Sequence, residues 1–137
     1  MEDIFVGRLM STDLHTASPD TLVEDAAQVL LENDVGSVLV VDDEGGLEGI
    51  LTRTDFVEIV AKSQPKAQTT VSRYMTEDVI TTDAGASIRD VADVMMEHGF
   101  HHVPVVDEDD RVVGMLTTTD LAAYLSHVQT PSPGGDA

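Results

Sequence analysis

The stretches Gly49-Ile-Leu-Thr-Arg-Thr-Asp55 and Gly114-Met-Leu-Thr-Thr-Thr-Asp120 repeat one pattern at a distance of 65 residues. Each has a glycine, two apolar residues and then Thr-x-Thr-Asp before an apolar run. This order predicts a buried strand that ends where a helix begins, with the first Thr as N-cap and the Asp three residues later in a capping box. Such a helix start offers free N–H groups and the positive end of the helix dipole.

The two stretches belong to an internal repeat of the chain. Aligning Val6 with Val71 and continuing to Val60 with Leu125 needs no gap, and 18 of the 55 pairs are identical. The identical pairs include Arg8/Arg73, Met10/Met75, Asp13/Asp78, Thr16/Thr81, Asp25/Asp90 and Val40-Val41-Asp42/Val105-Val106-Asp107. Two copies are too few for a solenoid, so we expect two halves that face each other about a pseudo-twofold axis.

Each copy carries the same pattern of a short extended segment, an amphipathic helix, two apolar strands and a last helix. In the first copy we expect these at 14–17, 22–33, 38–41, 47–51 and after Thr52. In the second copy we expect them at 79–82, 87–98, 103–106, 112–116 and after Thr117, with Gly99 as the stop of the first helix. The sequence therefore predicts a mixed α/β fold, sandwich-like, of two β-α-β-β-α repeats whose sheets are covered on both faces.

The boundaries of the repeats follow from composition. We expect repeat 1 at 1–61, a polar linker at 62–70 that holds Pro65 and both lysines, and repeat 2 at 71–128. Residues 129–137, rich in Pro and Gly, should be disordered.

The charge of the chain excludes several classes of partner. There are 26 acidic and 7 basic residues, with a formal net charge of −19. A field of this sign repels nucleic acid and anionic membrane surfaces, and the scarcity of lysine suggests a halophilic source. There is no cysteine, which excludes disulfides and thiol catalysis. We see neither a secretory signal nor an apolar run of membrane-spanning length, so a cytoplasmic location is the default expectation.

The ungapped duplication, the leader that ends in Met-Ser/Thr, the Val-Val-Asp strand end and Gly-x-x-Thr-x-x-Asp together resemble a tandem pair of cystathionine β-synthase (CBS) domains, the Bateman module. The resemblance covers nearly all of residues 4–127. It implies a stand-alone regulatory protein, with no obligatory cofactor and no catalytic residues. Such pairs bind adenosyl ligands (AMP, ADP, ATP or S-adenosylmethionine) in the clefts between the copies, commonly form homodimers through their helices, and would here signal to another protein chain.

The resemblance also implies roles for individual residues. Asp55 and Asp120 would accept hydrogen bonds from the ribose hydroxyls, which suits an acceptor-only carboxylate. The threonines beside them would donate towards ribose or phosphate, the extended segments would line the base, and the residues that open the first long strand of each copy would lie near the phosphates. The candidate residues are Thr16, Ala17, Gly36, Ser37, Thr52, Arg53, Thr54 and Asp55 in one site, and Ile80, Thr81, Thr82, His101, His102, Val103, Pro104, Thr117, Thr119 and Asp120 in the other.

The two candidate sites differ in charge. The second copy has His101-His102 where the first has Gly36-Ser37, so we expect the second site to bind a phosphorylated ligand more tightly. Adjacent residues of a strand point to opposite faces, so only one histidine readily reaches a given pocket. Arg53 is the counter-argument, because it could approach a phosphate in the first site.

Plainer interpretations remain open. The Thr and Asp pairs could serve only as helix caps, worth roughly 1 kcal/mol each. The histidines lack the spacing of a metal site, and we expect none. An enzyme is disfavoured because no activated nucleophile is present and the two lysines lie in the linker. The alternative to a sensor is a structural dimerisation module that binds no small molecule.

Overall fold

The computed structural model describes residues 4–62 and 69–129, where the chain forms two compact units. Unit 1 contains the chain up to Thr12, Thr81–Asp107 and the chain from Val113 onward. Unit 2 contains Asp13–Ile80 and Glu108–Val112. Most of the predicted linker and nearly all of the predicted disordered tail lie outside the described residues.

The elements follow the chain as α1 (Val6–Leu9), β1 (Thr16–Ala17), α2 (Val23–Asn33), β2 (Ser37–Val41), β3 (Leu47–Thr52), α3 (Arg53–Lys62), a 3-10 turn (Val71–Arg73), α4 (Ile88–His98), β4 (His102–Val106), β5 (Val112–Thr117) and α5 (Thr118–Gln129). These bounds agree with the sequence pattern to within one or two residues for every long helix and strand. The predicted mixed α/β fold is confirmed.

The amphipathic helices end as their sequences require. Helix α2 buries Val23, Ala26 and Leu30, which recur at helical spacing along one face. It ends at Asp34, which adopts the left-handed conformation with φ 52°. Helix α4 ends at Gly99 in the same conformation, φ 70°, so the predicted stop is confirmed.

The two sheets differ by one strand. In unit 2 the order is β1-β2-β3, with β1 parallel and β3 antiparallel to β2. In unit 1 only β4 and β5 pair as strands, and the segment equivalent to β1 forms a single bridge, Thr82 to Val105. Leu39 N–H donates to His15 O at 3.1 Å, but its counterpart Pro104 has no N–H to donate. The predicted extended segment at 79–82 is therefore a bridge rather than a strand.

Each unit has its own apolar core. Each core also contains a valine from the leader of the other repeat, which is the short segment 6–10 in repeat 1 and 71–75 in repeat 2. The core of unit 1 consists of Val6, Val91, Met95, Val103, Val105 and Leu116. The core of unit 2 consists of Val23, Ala26, Val40, Leu51, Ile59 and Val71. Val6 and Val71 are both fully buried, so the leaders are integral to the units that they join.

Backbone hydrogen bonds fix the leaders in these places. In unit 1, Val6 N–H donates to Ala86 O at 2.9 Å, and Ser11 exchanges two bonds with Met115. In unit 2, Val71 N–H donates to Thr21 O at 2.8 Å, and Thr76 exchanges two bonds with Ile50. The compact units therefore cross the boundaries of the sequence repeats.

Within the described ranges, no helix is both long enough and apolar enough to cross a bilayer.

Candidate functional site

The predicted capping box is present at the start of α3, in unit 2. Thr52 N–H donates to Asp55 Oδ2 at 2.8 Å, and the Thr52 hydroxyl donates to the same oxygen at 3.1 Å. Asp55 N–H is 3.4 Å from Thr52 Oγ1 and donates to it. The predicted role of Thr52 and Asp55 as a reciprocal cap is confirmed.

The start of α5, in unit 1, has the two reciprocal bonds that involve backbone amides, whereas the hydroxyl–carboxylate bond is seen, in the part of the chain that the structure describes, at Thr52 alone. Thr117 N–H donates to Asp120 Oδ2 at 2.9 Å, and Asp120 N–H donates to Thr117 Oγ1 at 3.1 Å. Both carboxylates are half-buried. The duplication seen in the sequence is therefore also a duplication of local geometry.

The residue just before the first long strand of each unit, β2 or β4, binds one further amide of the helix start. Arg53 N–H donates to Gly36 O at 3.1 Å, and Thr118 N–H donates to His101 O at 3.0 Å. Of the first three amides of each helix, two are thus engaged, whereas those of Thr54 and Thr119 have no hydrogen-bond partner in the described part of the chain. Each helix start accordingly offers one amide rather than several, together with one Asp oxygen, Oδ1, that the cap does not use.

Each extended segment pairs with the first long strand of its unit. In unit 2, Thr16 and Ala17 pair with β2, which begins at the buried Ser37. In unit 1, Thr82 N–H donates to Pro104 O and Val106 N–H donates to Thr82 O. Thr81 and Thr82 belong to unit 1, whereas Ile80 belongs to unit 2, so the structure does not bring all predicted residues of the second site into one unit.

The first residues of β4 divide into surface and core. His101 is exposed and His102 is half-buried. Val103 and Pro104 are almost completely buried, so these two predicted site residues contribute backbone and shape rather than exposed side chains. Their burial reflects the near-continuous apolar character of β4.

His102 is the histidine that Asp120 influences. Burial lowers the pKa of His102 below its usual value, the neighbouring charge of His101 lowers it further, and the Asp120 carboxylate opposes both effects. Strand alternation places the two histidines on opposite faces of β4, and of the two only His102 is half-buried.

Arg53 is held at the C-terminal end of α2. Its Nε donates to Val35 O at 3.0 Å, and its Nη2 contacts Asp34 Oδ1 at 3.1 Å. Carbonyl groups at a helix C-terminus attract a cation, which explains this placement. The sequence did not single out Asp34, because its counterpart is Gly99 and the repeat gave no matching pair.

Within residues 4–62 and 69–129, no group of three or more His, Asp or Glu side chains could hold a metal ion. The chemistry available at each helix start is therefore hydrogen bonding by a carboxylate, hydroxyls and an amide. In unit 1 an imidazole adds to this set.

The fold and the two matching helix starts define a tandem α/β repeat protein. Residues 6–62 and residues 71–127 each match the model of the CBS domain family, and the chain belongs to that family.

A curated relative of similar length is the uncharacterized 17.7 kDa protein in the bps2 3′ region of Acidianus ambivalens. It is 30% identical over 132 residues, which cover 96% of this chain and 79% of the relative. Two longer curated relatives are matched over only 29% and 24% of their length. The activities of those longer proteins therefore do not carry over to this chain.

Solved structures with this fold include two whose titles name an adenosyl ligand. One is the CBS domain pair of protein MJ0100 in complex with 5-methylthioadenosine and S-adenosyl-L-methionine, with 28% identity, a TM-score of 0.85 and coverage of 93% of this chain and 100% of that one. The other is CBSX2 in complex with AMP, with 27% identity, a TM-score of 0.80 and coverage of 91% and 98%.

Proposed function

We propose that this protein is a regulatory module that binds an adenosyl ligand and signals its level to another protein. The observation that carries the proposal is the reciprocal Thr–Asp cap at two equivalent helix starts, each of which leaves one Asp oxygen and one amide without a partner among the described residues. A cap by itself needs no spare acceptor. A ribose diol, by contrast, needs a carboxylate oxygen that can accept hydrogen bonds.

The roles of the residues follow from these spare groups. Asp55 or Asp120 would accept hydrogen bonds from the ribose hydroxyls through Oδ1. The amides of Thr54 and Thr119 would donate to a phosphate or another polar group near the helix start. The backbone beside Thr16–Ala17 and Thr81–Thr82 would contact the base.

The site in unit 1 is the stronger candidate for a phosphate-bearing ligand. In unit 1, the charge of Asp120 acts on His102. In unit 2, the residue equivalent to His102 is Ser37, which carries no charge. Arg53, the cation of the other site, is already bonded to Asp34 and Val35. We therefore assign the tighter site to Thr117, Thr119, Asp120 and His102.

Two neighbours support the choice of ligand class. The related domain pairs of similar length carry AMP in one structure, and S-adenosyl-L-methionine with 5-methylthioadenosine in the other. The ligands share an adenosine and differ in charge. The adenosine is therefore the part that we expect this chain to recognise.

A thermal-shift panel tests the proposal. AMP, ADP, ATP, NAD, S-adenosylmethionine and 5-methylthioadenosine are added to the full chain at high salt, with GMP as the control for base recognition. A ligand at 100 times its Kd stabilises the folded state by about 2.7 kcal/mol, which raises the melting temperature. If no adenosyl compound raises it, the chain is a structural module without a small-molecule ligand.

The charge of the protein adds a distinctive expectation. A chain of net charge −19 repels a phosphorylated ligand, and salt screens this repulsion. The affinity for AMP should therefore increase with salt, whereas that for uncharged adenosine should change little. The same composition suits a halophilic, cytoplasmic protein that is most stable at high ionic strength.

We also propose a homodimer formed through the last helix of each repeat. Val57 and Val60 on α3 are 66% and 71% exposed, and Leu125 on α5, the counterpart of Val60, is 51% exposed. A second copy would cover these apolar side chains. Light scattering should report a dimer that Val60→Glu converts to monomer, whereas a monomeric wild-type chain would contradict the assignment.

A further inference from the structure

His102 stands among groups that make its charge sensitive to a neighbouring anion. Its ring is half-buried at the start of β4, and Thr118 N–H donates to the carbonyl of the preceding residue at 3.0 Å, which ties β4 to the start of α5. Asp120, which closes the cap of α5, acts electrostatically on the ring. The backbone bond from Thr118 to His101 therefore brings the start of β4, where His102 lies, to the helix start that Asp120 caps.

The charged residues described on helices α1 and α4 of unit 1 lie at the surface. Strand β5 has no ionisable side chain, and the ionisable residues of α4 are all exposed. Those residues are Arg89, Asp90, Asp93, Glu97 and His98. Arg8 on α1 is also exposed, and the charged groups that act on His102 are His101 and Asp120.

We infer that anion binding at the start of α5 is coupled to protonation of His102, so that a phosphate-bearing ligand is bound together with a proton. The inference rests on the proposed adenosyl site and names its regulation by pH. An anion placed beside the Asp120 carboxylate meets a like charge, and a protonated imidazole would offset this repulsion. The negative charge of the bound ligand would thus favour the protonated form of His102.

The direction of the pH dependence follows from two states of the ring. In the free protein burial lowers the pKa of His102, which favours the neutral ring. A bound anion raises that pKa, and between the bound and the free values the complex holds more protons than the free protein. Affinity therefore increases as pH falls through this interval, by up to about tenfold per pH unit, and is level above and below it.

The site at the start of α3, in unit 2, has no histidine in the equivalent position. Ser37 occupies the place of His102, and a serine hydroxyl does not change its charge in this pH range. Any ligand bound by unit 2 should show no proton uptake from this position.

Calorimetric titration of AMP and adenosine, each in two buffers of different protonation enthalpy, measures the protons taken up on binding. His102→Gln is compared with wild type, and His101→Gln is the matched control on the exposed neighbour. The phosphate of AMP has its own pKa of about 6, so the titrations are made well above that pH, where the phosphate is ionised in every variant. The circular-dichroism spectrum and the melting temperature of His102→Gln show whether the variant is folded.

We expect wild type and His101→Gln to take up more protons with AMP than His102→Gln does, and adenosine to cause no such difference. If His102→Gln matches wild type in proton uptake with AMP, the inference is wrong while the proposed function stands. If wild type binds neither AMP nor any other adenosyl compound, the proposed function fails, and the inference fails with it.

Discussion

The starts of α3 and α5 have the same cap but different neighbours. Both use a Thr and an Asp in reciprocal hydrogen bonds, with distances from 2.8 to 3.4 Å. Beside α3 stand a buried serine and an arginine that is bonded to Asp34, whereas a half-buried histidine stands beside α5. The repeat has thus kept the groups suited to ribose and changed those suited to phosphate.

Removing the charge of each Asp should separate the two sites most strongly. Asp120→Asn retains one oxygen for the cap but loses the acceptor-only carboxylate, so we expect AMP binding to weaken by about ten- to a hundredfold, the range for hydrogen bonds to a charged group. Asp55→Asn alters the other helix start, so it should change the affinity of the tight site for AMP by less than about threefold. Calorimetric titration of both variants measures this.

The melting temperatures of the two variants are the control. Their caps are equivalent, so both should lose similar stability. Equal loss of AMP affinity in both variants would contradict the asymmetry between the sites.

The leaders provide a second comparison, based on glycines that face a methionine. A Cβ at Gly49 would lie 2.7 Å from Met75 Sδ and 2.8 Å from Thr76 O. At Gly114 it would lie 2.5 Å from Met10 Sδ but 3.2 Å from the nearest backbone oxygen, that of Ser11. A flexible side chain can move more easily than a backbone.

Gly49→Ala should therefore destabilise more than Gly114→Ala, within about 1 to 3 kcal/mol for overpacking. Urea unfolding of the two variants provides the measurement. The reverse order would show that the leader backbone adapts more readily than the methionine.

The caps themselves should contribute equally. Thr52→Ala and Thr117→Ala each remove the hydroxyl that accepts from the amide of the Asp, and each should cost about 1 kcal/mol of unfolding free energy. Thr→Ser at the same positions keeps the hydroxyl and serves as the control. A loss at only one of the two positions in denaturant unfolding would argue against equivalent caps.

Arg53→Ala should have the smallest effect. The ion pair with Asp34 is exposed, with side-chain exposures of 52% and 96%, and pairs of this kind contribute at most about 1 kcal/mol. AMP affinity should be unchanged within twofold of wild type, a spread of about 0.4 kcal/mol. A tenfold loss in the same titration would show that Arg53 leaves Asp34 to contact the ligand.

The local structure could be predicted because the residues determine it directly. The period of Val23, Ala26 and Leu30 predicts α2, and Thr-x-x-Asp after an apolar strand predicts the caps, since both depend on near neighbours in sequence. Gly99 predicts the end of α4 for the same reason. These elements are repeated, which made the pattern easier to recognise.

The exchange of the leaders could not be predicted in this way. Val6 and Val71 have the same residue type and the same surroundings in sequence, so no pattern says which core each enters. The pairing of Arg53 with Asp34 was also missed, because it depends on a left-handed residue for which the repeat has no charged counterpart. The shortened sheet of unit 1 did have a signal, since Pro104 cannot donate the hydrogen bond that Leu39 donates.

The number of AMP molecules bound tightly per chain tests the central claim most directly. Calorimetric titration of the wild-type chain at high salt should give one tight site, with any second site clearly weaker. Of the two capped helix starts that the structure describes, it is that of α5 which combines the spare carboxylate oxygen with an imidazole. Two sites of equal affinity, or no site for AMP or any other adenosyl compound, would contradict the account.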